Sequence, residues 1–210
     1  MAAARSSRFW EPLLTSPPPN AHIAQVYQDE AFLAETVGMF IAEGLSQGES
    51  VVIVATGEHR RLFTEALAQR GVTPKEGRFL SVDAAETLAE FHDGDSFDPN
   101  AFRESVGGLI SAAAGPTGRP VRVYGEMVNL LWQDGETRAA AVLEGMWNEL
   151  AQKASFTLLC AYHVDAEKPG HEERLHDVCS AHTHLIPMSP GALDPWRERQ
   201  IWLKDVRPPR

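Results

Sequence analysis

The feature that most constrains this chain is the run Ser50-Val51-Val52-Ile53-Val54-Ala55. It is short, unbroken and β-branched. A strand with one wet face alternates apolar and polar residues, and this one does not, so both its faces must be covered. That describes an inner strand of a parallel sheet between two helical layers. Parallel neighbours need crossover connections, so the rest of the chain must supply helices between further strands.

The remaining segments follow that plan. His22-Ile23-Ala24-Gln25-Val26-Tyr27 reads as a first strand. Asp29 reads as the N-cap of a helix that carries Phe32, Val37, Phe40, Ile41 and Leu45 on one face and stops at Gly48. A helix over 58–70 ends before Gly71, and Arg78-Phe79-Leu80-Ser81-Val82 is a second buried strand. Asp83 caps a helix holding Leu88 and Phe91. After the polar loop over 92–96, a helix starts at Asp98 or Asn100 and breaks at Gly115-Pro116-Thr117-Gly118. Val121-Arg122-Val123-Tyr124 is a third strand, with a short helix through Leu130, Leu131 and Trp132 after it. A long helix over 137–153 places Leu143, Met146, Trp147 and Leu150 on one face. Phe156-Thr157-Leu158-Leu159-Cys160-Ala161-Tyr162 is a fourth strand. A helix over 172–182 and an edge strand at His184-Leu185-Ile186-Pro187 complete the core. The expected fold class is α/β: a three-layer sandwich around a mainly parallel sheet.

A chain of 210 residues suits one domain. Residues 1–20 end in Ser16-Pro17-Pro18-Pro19-Asn20 and read as a flexible arm. The domain spans 21–187. Residues 188–210, with Trp196 and Trp202 among charges, read as a tail or docking segment.

Several function classes are disfavoured. The net charge of -10 argues against direct nucleic-acid binding and against an anionic membrane surface. No apolar run approaches the roughly 20 residues that span a bilayer. Cys160 and Cys179 are too few for a disulfide framework, so a reduced cytoplasmic chain is expected. The turn Thr56-Gly57-Glu58-His59-Arg60 has one glycine, no lysine, and a carboxylate where phosphate would be repelled. No G-x-G-x-x-G follows any strand, and no serine or cysteine sits in a G-x-S-x-G turn. No catalytic residue is assigned.

In an open parallel sheet, ligands bind outside the carboxyl ends of the strands. Tyr27 and Gln28, Thr56 and His59, Asp83, Tyr124 with Glu126, and Tyr162 with His163 fall there. Glu126, directly after Tyr124-Gly125, can accept a ligand hydrogen bond, hold a metal, act as a base, or simply meet the dipole of the helix it opens. The expected ligand-binding set is His22, Tyr27, Thr56, His59, Tyr124, Glu126, Trp132, Tyr162 and His163. Weak metal or haem candidates are His176, Cys179 and His182, with His171 and His184 nearby. No cofactor is expected. Cys160, inside an apolar strand, reads as a structural thiol.

The pattern as a whole resembles a known family. His22-Ile23-Ala24-Gln25-Val26-Tyr27 with its helix and the next strand looks like the opening of the methanogen/methylotroph sensory domain, MEDS. Gly125-Glu126-Met127, Leu131-Trp132, Leu143-Glu144, Trp147-Asn148-Glu149-Leu150, the strand ending at Tyr162, and Val178-Cys179 through His182 continue the likeness over 20–187. The resemblance implies a fold related to RecA-like and clock-protein ATPases without a phosphate loop. It also implies a sensory role for a small organic ligand, with output through a histidine kinase or transcription regulator. Such domains are often fused to an output domain, and a stand-alone domain with only a docking segment after it is the expectation here. His163 stands where similar sequences often have proline.

Three readings stay open. One is a stand-alone sensory domain that binds a small ligand at the strand ends and signals through a partner protein. The second is a metal protein or enzyme using Glu126 and His163, with His22 or Cys160. The third is a ligand-free interaction module. A homodimer is expected only from the frequency of symmetric dimers.

Overall fold

Among the described residues, six strands pair into one sheet. They are β1 (His22–Tyr27), β2 (Ser50–Ala55), β3 (Phe79–Asp83), β4 (Val121–Gly125), β5 (Thr157–His163) and β6 (His184–Ile186). The computed structural model describes residues 10–75, 77–164 and 180–186. The strand order is β3-β2-β4-β5-β1-β6, and every neighbouring pair is parallel. The expected mainly parallel sheet is therefore parallel throughout. All six residues of β2 are buried, between β3 and β4, as its unbroken apolar run requires.

The helices are α1 (Glu11–Thr15), α2 (Glu30–Ser46), α3 (Gly57–Gln69), α4 (Ala84–Ala89), α5 (Pro99–Ala114), α6 (Met127–Gln133) and α7 (Thr137–Ala151). They form two layers. Phe40 and Ile41 of α2 and Phe63 and Leu67 of α3 pack with Ile23, Tyr27, Ile53 and Tyr124 on one face. Phe102 and Val106 of α5, Leu131 of α6, and Leu143 and Trp147 of α7 pack with Ala24, Val26, Val52 and Cys160 on the other. Each strand feeds both cores because successive side chains point to opposite faces.

The caps fall at the acids read as helix starts. Asp29 accepts from the Ala31 N–H at 2.8 Å, Asp83 from Ala85 at 3.0 Å, and Asp98 from Asn100 at 2.8 Å, with Pro99 opening α5. Phe91 lies just past the end of α4. There its ring meets those of Phe97 and Phe102, in a loop closed by the bridge between His92 and Phe97.

One expectation changes at the start of the domain. Residues 10–15 pack rather than forming a free arm. Trp10, which precedes α1, and Leu14, within it, are buried, and Trp10 meets the Phe32 ring edge-on at 5.6 Å. The proline run after them masks this pair in the sequence. Arg122, buried in β4, donates to the Leu14 carbonyl at 2.6 Å, to the Phe40 carbonyl at 3.0 Å and to Glu49 at 2.5 Å. It passes so close to α2 that a Cβ on Gly44 would lie 2.6 Å from its Cδ. At the other end, His184–Ile186 is the expected edge strand, beside β1. The expected helix over 172–182 falls almost wholly outside the described residues, as do positions 1–9 and the tail over 188–210. Among the described residues, no helix is long and apolar enough to cross a membrane.

Candidate functional site

The carboxyl ends of β1, β2 and β4 meet above the layer that holds α2 and α3. Glu126 follows β4 directly and is buried. One of its carboxylate oxygens accepts from the Thr56 backbone N–H at 2.9 Å, and the other meets His59 Nδ1 at 2.6 Å. The second nitrogen of His59, Nε2, lies 2.7 Å from Glu30, whose side chain is half exposed. Only an imidazolium donates from both ring nitrogens, so this geometry holds His59 as the cation between two carboxylates. Burial opposes that charge. The hydrogen bond and charge of Glu126, then those of Glu30, outweigh it and raise the His59 pKa.

Each member sits where its element puts it. His59 is in the first turn of α3, which Thr56 caps by accepting from the His59 N–H at 3.4 Å. Glu30 opens α2. Tyr27, the last residue of β1, packs edge-on to His59 and to His163 at ring separations of 6.4 and 5.2 Å. Burial, then the nearby Glu30 and Glu126 charges, push its hydroxyl pKa up, so it stays protonated. Asn129 on α6 ties the rim together. Its amide donates to the Tyr27 hydroxyl at 3.4 Å, and its carbonyl accepts the His163 N–H at 2.8 Å. Below this rim the Tyr124 hydroxyl is buried against Phe63 with no hydrogen-bond partner among the described residues.

An anion meets opposition here. The N-termini of α2 and α3 are where a phosphate would gain most from backbone N–H groups. Asp29 already takes an N–H of α2, and Glu126 takes that of Thr56 at the start of α3. The chain supplies its own carboxylates at both positions.

The remaining expected residues divide. Trp132 is buried in the opposite core and donates its indole N–H to the His163 carbonyl at 2.9 Å. Tyr162 faces that same core, away from Tyr27, because it lies on the other parity of β5 from His163. His22 opens β1 at the amino end, so it is not part of the rim.

His22 and Tyr162 instead join a second polar cluster, on the α7 face. Glu144 of α7 is buried there. It meets His22 Nε2 at 3.1 Å and His182 Nε2 at 3.3 Å, and it accepts the Tyr162 hydroxyl proton. Cys160 Sγ lies 3.5 Å from His22 Nε2 and 3.9 Å from Glu144. Burial alone would raise the Glu144 pKa, but His182 and His22 hold it low. Burial, then the Glu144 charge, raise that of the Cys160 thiol. Of the weak metal candidates, His182 is in this cluster, while His171, His176 and Cys179 lie outside the described residues. His184 stands apart, on β6 beside Thr183.

Sequence reasoning missed Glu30, Asn129 and Glu144 as site members, and also Asn148, whose side-chain oxygen lies 3.0 Å from His22 Nδ1. For Glu144 a signal existed. It falls on the apolar stripe of α7 with Ala140, Leu143, Trp147 and Leu150, where a carboxylate without a partner is very unfavourable. Glu30 gives no such signal, because an acid in the first turn of a helix is ordinary.

The sequence model of the family described as "MEDS: MEthanogen/methylotroph, DcmR Sensory domain" matches residues 21–183. Among solved structures, the chain is similar to an ATP synthase subunit, NeqB, from Nanoarcheaum equitans. The TM-score is 0.51 at 12% identity, covering 90% of this chain and 50% of that one. It is also similar to a prototypical ATPase from the type III secretion system of pathogenic bacteria. There the TM-score is 0.53 at 12% identity, covering 92% of this chain and 56% of that one. The chain thus spans about half the length of these solved chains. At such identity the likeness shows the fold, a RecA-like sandwich. A comparison with curated proteins found no match.

Proposed function

The chain belongs to the MEDS family of sensory domains, and from that membership we propose that it senses a small, neutral or cationic organic molecule at the rim formed by Tyr27, Glu30, His59, Glu126, Asn129 and His163. The observation that carries this reading is the Glu126 carboxylate seated on the Thr56 N–H and on His59. A site already holding its own anion, with Glu30 and Asp29 beside it, selects against phosphates and carboxylates. It favours molecules that donate hydrogen bonds or carry positive charge. Glu30 is the wet end of the relay, so a ligand that replaces it on His59 changes the charge balance at Glu126 and at the start of α3. The buried Tyr124 hydroxyl, without a hydrogen-bond partner among the described residues, adds a polar group below. Its output would pass to a partner protein, a histidine kinase or a transcription regulator; the family's description as sensory bears only on there being a signal to pass.

The test uses one-carbon probes of different charge, in keeping with the methanogen/methylotroph setting of the family. Methanol, methylammonium and formate are titrated into ¹⁵N-labelled protein. Methanol or methylammonium is expected to shift the amide signals of Thr56, Asn129 and His163, and formate is not. Glu126→Gln should abolish the methylammonium response. Shifts centred elsewhere, or a response to formate alone, sink the reading.

A further inference from the structure

The cluster on the α7 face has the composition and spacing of a metal centre. One ligating atom from each of His22, Glu144, Cys160 and His182 lies within 4.8 Å of all the others, and the four side chains are buried. A tetrahedral zinc ion with bonds of 2.0–2.3 Å sets its ligand atoms about 3.3–3.8 Å apart. The separations among His22 Nε2, Cys160 Sγ and Glu144 Oε2 are 3.1, 3.5 and 3.9 Å and bracket that range, and His182 Nε2 lies 3.3 Å from the other oxygen of Glu144. The set comes from β1, α7, β5 and the residues before β6, so the fold brings together groups far apart in sequence.

The surroundings also fit. A metal-bound histidine normally gives its other ring nitrogen to a fixed acceptor, which sets the tautomer and aims the ligating nitrogen. His22 Nδ1 lies 3.0 Å from Asn148 Oδ1, which leaves Nε2 facing Glu144 and Cys160. The amide of the same Asn148 donates to the Ala181 carbonyl at 3.0 Å, next to His182. Tyr162 donates its hydroxyl proton to Glu144. One asparagine thus braces two of the four ligands, and one tyrosine braces a third.

We propose that His22, Glu144, Cys160 and His182 bind one zinc-class divalent ion, with Asn148 as a positioning residue. Two imidazoles, a thiolate and a carboxylate are a borderline-soft donor set, which suits Zn²⁺ over Mg²⁺ or Ca²⁺. On binding, the Cys160 thiol proton and the Nε2 protons that His22 and His182 direct at Glu144 leave to solvent, so that a thiolate, two neutral imidazoles and the carboxylate face the ion. This site is separate from the strand-end rim, so the two readings stand or fall independently.

The test is metal titration of the full chain after chelation and dialysis. Zinc is expected to bind at one equivalent. Co²⁺ should give the strong visible bands of a tetrahedral site and a thiolate charge-transfer band, a result that needs no variant. Cys160→Ser should lose the charge-transfer band, and Cys179→Ser should keep it. Asn148→Ala leaves every ligand in place and should weaken zinc binding about 10- to 100-fold. A chain that binds no zinc, a faint octahedral cobalt spectrum without charge transfer, or a band that survives Cys160→Ser overturns the proposal. If Cys160→Ser does not fold, retention of the band in Cys179→Ser and its weakening in Asn148→Ala still assign it to Cys160.

Discussion

Glu126 and Glu144 are two buried carboxylates on opposite sides of one sheet, each in contact with histidine. Glu126 reaches solvent through His59 and the half-exposed Glu30, and it satisfies a backbone N–H. Glu144 is enclosed by His22, His182, Cys160 and Tyr162, with no exposed member in the ring. Similar residue types therefore make a relay with a wet end on one face and a closed cage on the other. Exposure, rather than composition, separates a site that can exchange ligands from one that holds its contents.

The sharpest way to break this contrast is to delete the two carboxylates in turn. Glu144→Ala strands two histidines and a tyrosine hydroxyl in a dry core, and such losses cost about 3–5 kcal/mol. Urea denaturation of the metal-free chain should show that loss. Glu126→Ala leaves Thr56 N–H and His59 near a path to water, so a smaller loss of about 1–3 kcal/mol is expected in the same assay. Equal losses, or the reverse order, would erase the distinction between cage and relay.

The next test is pH. His59 has a folded-state pKa above its ordinary value of 6.5. Its ion pairs therefore contribute fully below that ordinary value, and the contribution fades as pH rises through the folded one. The stability gap between wild type and His59→Gln should be wider near about pH 6 than near about pH 9. A gap that does not change with pH would mean that His59 is neutral. The smallest effect belongs to Glu30→Gln. Its carboxylate is half exposed, so a loss of about 1 kcal/mol or less is expected. The His59 ring signals should also titrate at a lower pH than in wild type, as NMR can follow.

Much of the fold was legible because it follows from local rules. The β-branched run 50–55 required two covered faces, and Asp29, Asp83 and Asp98 marked helix starts that the backbone uses. Trp10 and Leu14 were obscured because a proline run next to a pair of apolar residues looks like a linker. The rim was partly legible: Tyr27, His59, Glu126 and His163 fall at strand ends by position alone. The cage was not. His22 and Cys160 lie on strands 138 positions apart, and their meeting depends on β1 inserting between β5 and β6, a pairing that no local pattern encodes.

Strand β1 has a further consequence. His22 and Tyr27 are five residues apart, an odd number, so their Cα atoms lie about 17 Å apart along the strand and their side chains point to opposite layers, where they touch different polar sites. Both neighbours of β1 grip it in parallel register. Sliding it by one residue would turn both side chains into the wrong layer. The strand therefore acts as a fixed axle between two chambers. Any message passing between them has to travel as a change of charge or rotamer at its two ends, because the axle itself has no gear to shift.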